Sequence, residues 1–140
     1  MYEYKSKILR VVDGDTVDVD IDLGFGVWMH KERVRIMGID TPESRTRDKD
    51  EKARGLISKD FLVKELSKGD VVIKTKKDKK GKFGRILGEF YVNNININRL
   101  MIHSFYAVAY DGQSKEDIEK EHIINRQTLI AKGLFDPKNI

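Results

Sequence analysis

The sequence predicts an α+β protein, a small five-stranded β-barrel accompanied by three α-helices. Three observations predict it. From Thr16 onward, Val17, Val19, Ile21 and Leu23 alternate with Asp18, Asp20 and Asp22, the period-two pattern of a half-buried strand. The segments along the chain read in order as three strands, a helix, two strands and two further helices, with no internal repeat and no low-complexity linker. The chain has 140 residues, of which 39% are apolar, which suits one domain over residues 1–140 with one modest core.

Each element has its own signal. Tyr4 to Val12 is the first strand. The second, from Thr16, ends at Leu23-Gly24-Phe25-Gly26, where two glycines begin a turn. A third strand near Arg33 to Ile39 completes a long hairpin, and Pro42 ends it. The first helix runs from about Asp50 to Ser67. Ala53, Leu56, Ile57, Phe61 and Val63 share its broad apolar face, acidic residues lead it, and Lys68-Gly69 closes it. Val71 to Lys76 and Arg85 to Val92 then flank a lysine-rich turn at Gly81. A short helix starts near Asn96, and a final helix covers Lys115 to Lys132 before Gly133.

Composition narrows the function. Cysteine is absent, which excludes a disulfide frame and thiolate metal sites. No apolar run approaches the roughly 20 residues that span a bilayer, so no membrane partner is expected. The net charge of +4 mildly favours polyanions. The N-terminal MYEYKSKILRVV lacks a signal-peptide core, so the chain reads as cytoplasmic; a leader ahead of Met1 would make it secreted.

The stretch from Val11 to Gly24 holds five aspartates, Asp13, Asp15, Asp18, Asp20 and Asp22, which raises the question of a cation. The spacing of Asp18, Asp20 and Asp22 imitates the start of an EF-hand loop. Leu23 stands where that loop needs glycine, and Met29 where it needs its closing glutamate, so the reading fails. Alternation makes these three the solvated face of a strand. Asp13 and Asp15 flank Gly14 at a strand break. Alone they read as an ordinary Asp-Gly turn. A second stretch, RVRIMGIDTPE, puts Arg35 inside a strand and Asp40, Thr41 and Glu43 at its end. Carboxylates leaving the same end of paired strands can converge on one oxygen-liganded cation. A third stretch, KFGR, puts Arg85 at the start of another strand, and two arginines beside such a cation suit a phosphate.

DGDT, RVRIMGIDTPE, DKKGKFGR and AVAY, in this order and spacing, resemble the staphylococcal nuclease (thermonuclease) family from about Lys7 to Phe135. The resemblance implies the OB-fold variant of the barrel. It implies Ca2+-dependent hydrolysis of the DNA and RNA backbone, leaving 3′-phosphate and 5′-hydroxyl ends, with one Ca2+ per chain. It assigns Asp15 and Asp40 as carboxylate ligands and Thr41 as a carbonyl ligand. Glu43 would be the general base acting through a metal-associated water, and Arg35 and Arg85 the clamp on the scissile phosphate. Asp13 would stand behind the ligands, and Lys82, Phe83 and Tyr110 would contact the nucleotide. A leaderless nuclease of this kind also suggests a phage gene.

A phosphodiester is an anion that repels hydroxide, and its transition state adds charge, which is why a cation and two guanidiniums suit the task. Glu43 can serve as the base or can orient the water. The Lys76–Lys82 turn reads either as a solvated hairpin tip or as a site of phosphate attraction. Tyr110 reads either as core or as a stacking platform. His30, His103 and His122 are too scattered for a zinc site. The spacing Ile118–His122–Asn125–Leu129 puts His122 on a helix face, where a lone histidine makes no catalyst. The competing function is a non-catalytic OB-type nucleic-acid-binding or protein-interaction module. The presence of Asp15, Arg35, Asp40, Glu43 and Arg85 together favours the enzyme.

The chain departs from the family in two notable ways. The Thr16–Arg35 hairpin is longer than in the founding enzyme and carries Phe25, Val27, Trp28 and Met29. Trp28 reads as packing within that hairpin, with substrate stacking or a dimer contact as alternatives to an otherwise monomeric chain. Phe83 replaces the family's tyrosine and loses a donor. Phe83→Tyr is therefore expected to tighten binding of a nucleotide 3′,5′-bisphosphate by roughly tenfold, the worth of one hydrogen bond to a charged group. Calorimetric titration of both proteins checks this, and an unchanged affinity would remove Phe83 from the nucleotide pocket.

Overall fold

The computed structural model describes residues 2–77 and 86–140. Strands β1 (Tyr2–Asp13), β2 (Thr16–Gly24) and β3 (Val27–Ile36) form an antiparallel meander. The N-terminal half of β1 also pairs with β5 (Val71–Lys77), which pairs in turn with β6 (Ile86–Val92). Irregularities at Ile8/Arg10 and Val11/Asp13 bend β1 so that it serves both neighbours. β6 then runs parallel to β3, with Ile36 opposite Gly88, and this pairing closes a five-stranded barrel. Two-residue strands β4 (Ile39–Asp40) and β8 (Val108–Ala109) pair beside it, and β7 (Ile95–Asn96) extends β6. The helices are α1 (Lys49–Leu66), α2 (Ile97–His103) and α3 (Lys115–Ala131). The expected barrel with three helices is what the chain forms.

The barrel fills from the alternating positions. Val17, Val19 and Ile21 of β2, Val34 and Ile36 of β3, Ile73 of β5 and Phe90 of β6 are fully buried, with Leu62 of α1 and Ile97 and Met101 of α2 packed against them. Closure leaves little room. A Cβ at Gly88 would lie 2.8 Å from Val34 Cγ1 and 2.9 Å from Ile73 Cδ1. Asn98 of α2 is buried at this seam. Its amide nitrogen donates to Met37 O (2.8 Å) and Gly88 O (3.1 Å), while its oxygen accepts from Phe90 N (3.1 Å). One side chain thus satisfies three backbone groups where β3 meets β6.

Two boundaries differ from the sequence reading. β3 begins at Val27 and not at Arg33, because the hairpin turns on only Phe25 and Gly26, both at positive φ. Leu23, Val27 and Trp28 are exposed at this end of the hairpin, and the start of β3 carries no period-two signal. Ile39 belongs to β4, separated from β3 by Gly38 at positive φ.

Helix α3 is attached largely by polar contacts. Asn125 Nδ2 donates to Ala107 O (3.1 Å). Arg126 donates to both carboxylate oxygens of Asp50 on α1 (2.9–3.1 Å), which also accepts from Arg54 Nε (2.8 Å). Hydrogen bonds from Arg126, and then those from Arg54, hold the Asp50 carboxyl below the usual aspartate range. The unfolded chain therefore binds the Asp50 proton more readily, and this stabilisation is present above the ordinary aspartate pKa and lost as pH falls through the folded one. Asp50→Asn is expected to cost about 1–2 kcal/mol at neutral pH. The difference from the parent should shrink as pH falls below the aspartate range, which urea unfolding at several pH values checks.

Candidate active site

The corner between β1 and β2 places Asp13 and Asp15 on either side of Gly14. A Cβ at Gly14 would lie 3.0 Å from Thr41 Cγ2 and 3.1 Å from Ser58 Cβ, so the corner presses against the segment after β4. Asp13 is committed to that segment. It accepts a hydrogen bond from the Ser44 hydroxyl, and Arg45 Nη2 lies 3.1 Å from its other oxygen. Asp13 is thereby turned towards Ser44 and Arg45.

Asp15 Oδ1 accepts from Thr16 Oγ1 (3.0 Å), and Oδ2 lies 3.0 Å from Arg35 Nη1. The other arm of the same guanidinium, Nη2, lies 3.9 Å from Asp40 Oδ1. Strand pairing sets this up, since Arg35 lies opposite Thr16 and Ile36 N donates to Asp15 O (2.8 Å). Asp40 Oδ2 lies 2.7 Å from Nε2 of the buried His122 on α3. Thr41 and Pro42 are buried behind these groups.

Glu43 is held from below by α1. A Cβ at Gly55 would lie 2.6 Å from both the carbonyl carbon and oxygen of Glu43 and 2.7 Å from Ser44 N, so only glycine lets the helix approach this closely. Glu43 N donates to Glu51 Oε2 (3.1 Å). The residue as a whole is exposed, yet it lines the cleft. Partial desolvation, followed by the charges of Asp15, Asp13, Glu51 and Asp40, pushes its carboxyl above the usual glutamate range.

The cleft has a volume of about 940 Å³, and Arg35, Asp40, Thr41, Glu43, Tyr110 and His122 are on its wall. Tyr110 is 44% exposed at the rim and is not part of the core. Asp15 does not line the cleft and joins it through Arg35. Lys82, Phe83 and Arg85, with most of the lysine turn, lie outside the described residues. The aspartates of the hairpin face are occupied elsewhere. Asp18 takes both arms of Arg33 (2.9 and 3.2 Å), Asp20 accepts from Lys31 N (2.9 Å), and Asp22 accepts from Gly24 N (2.8 Å). His122 is the residue at this site that the sequence reading set aside. Its signal was the Ile118–His122–Asn125–Leu129 spacing, because a histidine on an inward helix face requires a partner.

Among the described residues no group of three or more histidine or carboxylate side chains is placed to hold a metal ion by itself. Apart from the His122 imidazole, which faces Asp40, the donors beside Arg35 are carboxylate oxygens, those of Asp15 and Asp40, with Thr41 next in the chain. Such a set fits a hard divalent cation that keeps waters in its shell.

Comparison with known proteins places the chain in a family. The profile of the family described as "Staphylococcal nuclease homologue" matches residues 33–133. An uncharacterized protein of Bacillus anthracis is 34% identical over 74% of this chain and 46% of its own length. An uncharacterized protein of Methanocaldococcus jannaschii is 33% identical over 76% of this chain and 59% of its own. The chain thus spans about half the length of these two relatives. The thermonuclease of Staphylococcus hyicus is 29% identical over 85% of this chain and 71% of its own length. With the barrel, the RVRIMGIDTPE strand end and a family match over most of its length, the chain belongs to the staphylococcal nuclease family.

Proposed function

We propose that the chain is a Ca2+-dependent phosphodiesterase that cleaves DNA and RNA and leaves 3′-phosphate and 5′-hydroxyl ends. The observation that carries this reading is Arg35, whose guanidinium spans Asp15 and Asp40 beside the open cleft that Glu43 lines. Asp15, Asp40 and the Thr41 carbonyl are the groups that would hold the cation. When bound, a divalent cation offsets the charge of the phosphodiester and acidifies a coordinated water.

The remaining work falls to side chains. Arg35 turns donors towards the cleft, where they stabilise the equatorial phosphate oxygens as negative charge accumulates. Arg85, by family resemblance, supplies the second guanidinium, and Lys82 and Phe83 complete the nucleotide contact. Glu43, which lines the cleft beside these groups, accepts the proton of the attacking water or orients that water. Asp13 holds the Ser44–Arg45 segment and so fixes the chain that presents Glu43. Tyr110 offers its ring at the rim to a base.

Digestion of plasmid DNA should proceed with Ca2+ and stop with EDTA. Arg35→Ala should lower turnover roughly 10²-fold or more while circular dichroism remains that of the parent. Digestion that is indifferent to divalent cations, or normal turnover by Arg35→Ala, would overturn the reading. Asp40→Asn should weaken Ca2+ binding in calorimetry, whereas Asp20→Asn on the hairpin face should not. Equal losses at both positions would contradict the separation of the two aspartate groups.

A further inference from the structure

We propose that His122 is a positioning residue that orients the Asp40 carboxylate for the cation. The inference rests on the reading above, in which Asp40 is a ligand. Asp40 sits in the two-residue strand β4, and its side chain is about a third exposed, so little packing fixes its carboxylate. Among the described residues, His122 Nε2 makes the one hydrogen bond to that carboxylate, at 2.7 Å. The nearer Arg35 nitrogen is 3.9 Å away, too far for a directed hydrogen bond.

The two oxygens therefore have different tasks. Oδ2 is taken by His122, whose Nε2–H must donate because an ionised carboxylate only accepts. Oδ1 is left on the side of Arg35 and Asp15, where the other ligand stands. Without the imidazole, the carboxylate could rotate and place either oxygen towards Arg35. The imidazole itself is well held. Its side chain is 7% exposed. The next turn of α3 is fixed through Asn125 to Ala107 O and through Arg126 to Asp50, and Leu129 is buried one turn further on. A helix 82 residues away in sequence thus sets the angle of one ligand. A carboxylate held by an outer hydrogen-bond partner binds its metal better because its orientation is settled beforehand.

Calorimetric titration with Ca2+ of the parent, His122→Ala, His122→Gln and Asp40→Asn tests this, with thermal melting in EDTA as the measure of fold. Glutamine places its amide nitrogen near the position of the imidazole Nε2 and keeps a donor. His122→Ala should weaken Ca2+ binding by about 10- to 100-fold, and His122→Gln should recover most of that loss even where its melting temperature is as low as that of His122→Ala. Should His122→Ala fail to fold, His122→Leu, which keeps volume and lacks a donor, carries the same expectation. Parental affinity in the donor-less variant, or equal losses in it and in His122→Gln, would overturn the proposal. If Asp40→Asn also binds Ca2+ as the parent does, the ligand reading itself has failed and this proposal falls with it. A loss in Asp40→Asn without one in the donor-less His122 variant sinks the positioning role alone.

Discussion

The structure depends on one electrostatic constraint, the accumulation of carboxylates at one mouth of the barrel. Asp13, Asp15, Asp40, Glu43 and Glu51 act together on that mouth, and their mutual repulsion contributes to the raised pKa of Glu43. Like charges this close are tolerated only with positive charge or donors between them. Arg35 provides both to Asp15 and faces Asp40, while Ser44 and Arg45 serve Asp13. The arrangement is unfavourable for folding taken alone and useful to a cation and a phosphate, which is where local rules are expected to be broken.

The rest of the fold keeps these groups in place. Parallel pairing of β3 with β6, sealed by Gly88 and the three hydrogen bonds of Asn98, fixes the strand that carries Arg35. Gly14 lets the β1–β2 corner approach Thr41, and Gly55 lets α1 lie directly beneath Glu43. Both are close approaches of backbone to backbone or to a short side chain, and a methyl group would displace residues that line the cleft. On the far wall α3 is joined to α1 through Asp50 and to β4 through His122. Each ligand or base candidate is therefore supported by a different element outside the apolar core.

Much of this could be read from the chain because it is local. The Val17–Val19–Ile21 alternation, the Asp-Gly-Asp corner and the Ile-Asp-Thr-Pro-Glu strand end each report their own structure within a few residues, and two strand ends beside each other imply converging carboxylates. The unread parts are not local. The first half of β3 is mostly exposed, with Met29 packed against the core, and carries no alternating burial pattern. β4 and β8 are two residues each, too short for any period. Asn98 and His122 take their meaning from partners brought near only by barrel closure and helix docking. The family resemblance named the site residues but could not supply His122, whose hydrogen bond belongs to the three-dimensional arrangement.

The central claim is that a cation belongs to the Asp15–Asp40 mouth and not to the aspartate-rich hairpin face. Amide chemical shifts followed by NMR during a Ca2+ titration test it most directly. Saturable shifts are expected only at Asp15, Thr16, Arg35, the Asp40–Glu43 segment and His122, with the Asp18–Asp22 amides unmoved. Shifts concentrated at Asp18, Asp20 and Asp22, with the mouth silent, would contradict it.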